Sequence, residues 1–160
     1  MRIRLEDLAP FQEICRKICL NIPSSYSWQW DVKRNMAIVV LEGDDAELVF
    51  FPLFKEFRHH WNFSSNPPNT TGVTQWIDDQ FGLMPGQAVF TSHPLCNLVL
   101  CVAWWPWGDD NKVSMRVGII PINNAKMRGD VAFQWLRRWF KIHPTEPSDA
   151  NDRHCSKGQP

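Results

Sequence analysis

Residues 98–120 read LVLCVAWWPWGDDNKVSMRVGII. Two runs rich in β-branched and aromatic residues, Leu98–Trp105 and Val113–Ile120, flank Gly108-Asp109-Asp110-Asn111. Val, Ile and Trp suit a pleated surface, and Gly, Asp and Asn supply the backbone freedom that a tight reversal needs. The spacing predicts an antiparallel hairpin, because a parallel pair would need a crossover of roughly a dozen residues or more.

Working outward, Ala88–Ser92 reads as a third strand beside this hairpin. Val73, Trp76, Ile77, Gln80 and Phe81 form one face of a short helix that Gly82 ends. Asp7 is a candidate N-cap, and Leu8, Phe11, Ile14, Cys15 and Ile18 keep helical spacing up to Asn21. Pro23-Ser24-Ser25 breaks that helix. Tyr26–Asp31, Met36–Glu42 and Glu47–Phe51 read as strands, the last two joined by a turn at Gly43-Asp44-Asp45. A helix is expected from Pro52 to Trp61, with Leu53, Phe54, Phe57 and Trp61 on one face. Another is expected from Asp130 to Ile142, whose apolar arc runs through Val131, Trp135, Leu136, Trp139 and Phe140.

The predicted order is α-β-β-β-α-α-β-β-β-α. That order implies an α+β fold, an antiparallel sheet of about five to six strands with helices packed on one side. Residues 1–143 are expected to form one domain. Ser64–Gly72 is a long polar loop within it. From Pro144 the chain turns to Thr, Glu, Pro, Ser, Asp and Asn, so 144–160 reads as a disordered tail. In element order the chain is similar to the dimeric chaperones of secreted effectors, which implies a partner-binding dimer. Its zero net charge departs from the acidic character of those chaperones.

The 160 residues carry 17 Lys+Arg against 17 Asp+Glu. That balance argues against a nucleic-acid binder, which shows a basic excess. No run reaches the roughly 18 apolar residues of a membrane span, and no secretory leader is legible at the start. Five Cys without paired spacing read as free thiols, hence a cytoplasmic setting. No nucleophile elbow, P-loop, dinucleotide fingerprint or chelating His pair occurs, so neither a catalytic centre nor a cofactor or metal is expected. For a hidden enzyme, His60, His93 and Asp109 are the only candidates.

The chain holds nine Trp and ten Phe against one Tyr. Adjacent strand residues point to opposite faces, so Trp104 and Trp105 cannot both face one core. Trp107, Asp109 and Asp110 fall at the hairpin tip. Trp28 and Trp30 share a strand face with Tyr26. Arg137, Arg138 and Lys141 form a basic strip on the last helix of an otherwise acidic body. Trp is enriched where proteins recognise one another. The expected function is therefore non-catalytic binding of a protein partner, or of a second copy, through Trp28, Trp30, Trp104, Trp105, Trp107, Asp109 and Asp110. Such a protein would act as an adaptor, a chaperone or an immunity-type partner. The alternative is a small-molecule binder with an aromatic, partly acidic pocket that takes its counter-charge from Glu42 or Glu47.

Overall fold

In the computed structural model, which describes residues 3–64, 73–108, 111–122 and 129–143, the centre of the fold is the hairpin read first. Strand β5 (Leu98–Pro106) pairs antiparallel with β6 (Lys112–Pro121), in register from Leu98 opposite Pro121 to Pro106 opposite Val113. Around it lie β1 (Gln29–Asp31), β2 (Met36–Glu42), β3 (His59–Asn62) and β4 (Ala88–Thr91). The six strands form one antiparallel sheet in the order β1-β2-β6-β5-β4-β3. The α+β class and the strand count agree with the sequence reading.

Strand β5 is buried along nearly its whole length because both faces of the sheet are covered. Leu98, Leu100, Val102 and Trp104 face one way, together with Met115 and Val117 of β6. Three helices cover that face: α1 (Ala9–Leu20), α2 (Gly43–Glu56) and α4 (Gly129–Trp139). Val99, Cys101, Ile120 and Trp61 face the other way, under Val73 and Ile77 of the short helix α3 (Val73–Gln80). Gly118 belongs to this second face. A Cβ there would lie 2.7 Å from Met36 Cε, so only glycine lets Met36 pack across it.

Helix α1 follows a 3-10 turn at Leu5–Leu8 and tolerates Pro10 in its first turn, where the missing N–H is not needed. Its Phe11, Cys15 and Ile18 are buried at helical spacing. Asp7 lies before the helix rather than capping it, and its carboxylate accepts the Arg4 backbone N–H at 2.8 Å.

The largest departure from the sequence reading lies between residues 43 and 62. Gly43-Asp44-Asp45 is not a hairpin turn, and Glu47–Phe51 is not a strand. All of it belongs to α2, which ends at Glu56. A short apolar run such as Leu48–Phe51 is ambiguous between strand and helix. Here two acids in the first turn suit the positive helix end, and Ala46, Val49 and Leu53 bury at helical spacing. Pro52 sits inside the helix and cannot donate to the carbonyl four residues back. Such an interior proline costs about 3 kcal/mol, which burial of the inner face must offset. Strand β3 (His59–Asn62) takes up residues 59–61, the end of the helix expected from Pro52 to Trp61. His60 is exposed and His59 half-buried. The observed order, with α2 between β2 and β3, also removes the likeness in element order to the effector chaperones. The polar loop from residue 65 to 72 and the tail 144–160 lie outside the described residues. No described helix is long and apolar enough to cross a membrane.

Edge strand β1 is shorter than the expected Tyr26–Asp31 and is held from two sides. The Tyr26 hydroxyl donates to Asp45 at 2.6 Å and accepts the Glu42 N–H at 3.2 Å. On the α3 face, Arg116 Nε donates to Asp31 at 2.8 Å, with the two side chains only 18% and 12% exposed. Burial alone would push the Asp31 carboxyl up. The Arg116 hydrogen bond, the Arg34 backbone N–H and both guanidinium charges outweigh it and hold the group below its ordinary value of 3.8. A lowered carboxyl contributes stability that is complete above its ordinary value and is lost as pH falls through the folded-state value. Asp31→Asn should therefore cost about 1.5–3 kcal/mol at neutral pH. It should also flatten the fall in urea midpoint below about pH 4. An unchanged acid limb in that variant would mean that the pair contributes nothing.

Candidate functional site

Two features that the sequence keeps about a hundred residues apart meet at the β1 edge. Trp30 pairs with Ala37 on the face that carries the three helices, and α4 lies over it. The Arg137 guanidinium sits 4.4 Å from the Trp30 ring, and Phe133 lies 6.0 Å from that ring on the same helix. Trp28 stacks on Phe140 at 4.2 Å. One side of α1 from Ala9 to Leu20, the end of α4 and the segment between Ile22 and Val32 line an open cleft of about 1670 Å³. Trp28, Trp30, Arg137, Arg138 and Lys141 all line it, joined by Trp139, Arg16, Leu20 and His143.

Lys141 is placed by the end of α4. It stands in the left-handed region at φ +53°, and the next N–H, of Ile142, closes a bond to the Arg137 carbonyl at 2.8 Å. This is the helix-terminating position that glycine usually takes, because a Cβ there costs about 1–2 kcal/mol. A lysine in that position lines the cleft in spite of the strained backbone.

Among the described residues, the charges lining the cleft are mostly cationic. Glu13 is the sole carboxylate among its described lining residues, and Arg16 already holds it at 2.6 and 2.8 Å. Arg138 and Lys141 are exposed and make no ion pair among the described residues. Neither Glu42 nor Glu47 lines the cleft. It is basic and aromatic, not the partly acidic pocket of the small-molecule alternative. The Nε1 donors of Trp30 and Trp139 are buried in its wall with no partner among the described residues. Burial raises the Cys19 thiol above its ordinary value despite the opposing charge of Lys141, so this lining sulfur is no ready nucleophile.

The other expected site residues do not join this cleft. Trp104 and Trp105 do point to opposite faces. Trp104 is buried in the chain's own core, 4.9 Å from the Phe50 ring. Trp105 is half-buried on the α3 face, between Phe81 at 4.7 Å and Arg116 at 5.6 Å. Trp107 is 44% exposed, donates its indole N–H to Ser114 at 2.6 Å and lies 5.8 Å from the Lys112 ammonium. Asp109 and Asp110 lie outside the described residues.

For an enzyme the described residues offer little. His60 packs on Phe54 at 5.0 Å, while His59 lies 6.3 Å from His93. Burial, Arg58 and His93 all lower the pKa of His59. Among the described residues no three His, Cys, Asp or Glu side chains gather to hold a metal. Cys101 is sealed in the sheet, and burial pushes its thiol up to about 12.

Trp139, Arg16 and Leu20 went unremarked as site residues in the sequence. Trp139 gave a signal in the unusually wide apolar arc of the last helix, but nothing local to α1 announces that its C-terminal end faces α4. No protein-family model matches this chain, and neither the curated proteins nor the solved structures contain a match.

Proposed function

We propose that this chain is a non-catalytic binding protein that takes a protein partner in the cleft between α1, the Trp28–Val32 segment and the end of α4. The observation that carries this reading is the convergence of Trp28 and Trp30 with Arg137, Arg138 and Lys141. The size of the cleft supports a macromolecular segment over a small ligand, since about 1670 Å³ exceeds the roughly 300–1,000 Å³ of small-molecule pockets. An adaptor, chaperone or immunity-type role is the kind of activity such binding serves. The free thiols Cys15, Cys19, Cys96 and Cys101 favour a reducing, cytoplasmic setting.

The test is capture of a partner from the source cells by the immobilised full chain, compared with two variants. The parent and Trp107→Ala should retain the same partner, and Arg138→Glu/Lys141→Glu should lose it. A partner kept by the double variant and lost by Trp107→Ala would move the site to the hairpin tip and overturn the reading.

Self-association is a second reading, favoured by a different surface. Leu48, Phe51 and Phe54 lie exposed along the outer side of α2 at a spacing of three. An apolar strip of this kind is a common dimer contact. A solution mass near twice 18.7 kDa that Phe51→Glu halves would support it, and a monomer at all concentrations would remove it.

A further inference from the structure

We infer that the cleft receives an acidic polypeptide segment bearing apolar side chains; the inference rests on the binding role proposed above and names the chemistry of its partner. Arg138 and Lys141 stand exposed with no ion pair among the described residues, Arg137 lies beside them, and the one lining carboxylate, Glu13, is already engaged by Arg16. A mouth lined so unequally attracts carboxylates and repels a basic segment. Each exposed pair is worth little alone, so specificity needs a second contact.

Apolar contacts are present in the same cleft. Leu20 is 70% exposed and Val32 78% exposed, and both line it. Two large aliphatic side chains held in water beside a cationic stripe fit a ligand that alternates acids with apolar residues. Polyanionic ligands without apolar groups would leave them wet.

Nucleic acid is the other polyanion to weigh. Sequence-tolerant binding of single strands uses free aromatic planes on which bases stack. Here the Trp28 ring already packs on Phe140, and the Trp30 ring already packs against Phe133 and Arg137 of α4. Neither indole stands clear as a platform, and the whole chain has zero net charge. The observations favour a polypeptide.

The experiment is fluorescence anisotropy on the full chain with four labelled probes. These are short peptides of repeated Glu-Glu-Leu, Glu-Glu-Ser and Lys-Lys-Leu, and a short oligothymidylate. The Glu-Glu-Leu peptide should bind, at least roughly tenfold tighter than Glu-Glu-Ser, and should weaken as salt rises. Arg138→Glu/Lys141→Glu should weaken it by at least roughly tenfold. Lys141→Gly separates charge from folding. It should also weaken the peptide yet melt no lower than the parent, because glycine suits the left-handed backbone at this position. Lys-Lys-Leu binding as tightly as Glu-Glu-Leu would overturn the inference, as would equal binding of Glu-Glu-Ser. Tighter binding of oligothymidylate that the double variant abolishes would also overturn it, while leaving the cleft as a binding site. If no probe binds, the acidic-segment inference falls, and the capture experiment separately decides whether the cleft binds anything.

Discussion

Phe90→Ala should lower the free energy of unfolding by about 3–5 kcal/mol, the range for emptying a buried aromatic site. Phe90 is fully buried in β4. It is the ring on which α2 is seated: Phe54 and Phe50 of the helix approach it at 5.1 and 5.8 Å, and Phe57 just past the helix end at 6.1 Å. Removing it deletes the ring that Phe50 and Phe54 meet edge-on and that Phe57 meets at a tilt. A domain of this size holds only about 5–15 kcal/mol in total, so the variant should be near the limit of folding at physiological temperature. Urea denaturation followed by circular dichroism reads the effect as a lower midpoint at unchanged slope. Phe51→Ala is the control. Phe51 lies on the same helix but is exposed, and its loss should stay within about 0.5 kcal/mol. A loss below about 1 kcal/mol for Phe90→Ala would contradict the seating of α2 on β4.

Leu136→Ala should cost about 2–5 kcal/mol and should also disable the cleft. Leu136 is fully buried, and α4 rests on β2 and β6 and touches α1. A helix of 11 residues is too short to persist alone in water, so its helicity depends on docking. Loosening α4 removes Arg137, Arg138 and Trp139 from one wall together. Hydrogen exchange should show the α4 amides opening before those of β5 and β6. Arg138→Glu makes the contrast: it should leave the melting temperature nearly unchanged and still weaken the partner. If Leu136→Ala left both stability and binding intact, α4 would not be the wall of the site.

These two variants probe different kinds of legibility. Phe90 belongs to a strand read correctly from its own residues, Ala88–Ser92. Its helix partner is not legible locally, because Leu48–Phe51 is apolar and aromatic enough for a strand and too short for periodicity to arbitrate. Asp44 and Asp45 suit a turn and a helix start equally, so they do not decide between the two. The alternation at Trp104 and Trp105 was legible, since the two-residue period of a strand admits no other outcome. That both rings would be covered by their own chain was not legible, because Phe50 and Phe81 reach them from elements distant in sequence.

The same division holds for the cleft. Trp28 and Trp30 on one strand face, and Arg137, Arg138 and Lys141 on one helix stripe, follow from local periods of two and 3.6 residues. Those periods are properties of the backbone, so the residues alone determine them. Local periodicity carries no information about which helix end lies beside which sheet edge. That neighbourhood, and with it a basic aromatic cleft in place of an acidic pocket, was decided by how α1 and α4 bury their apolar faces on one side of the sheet.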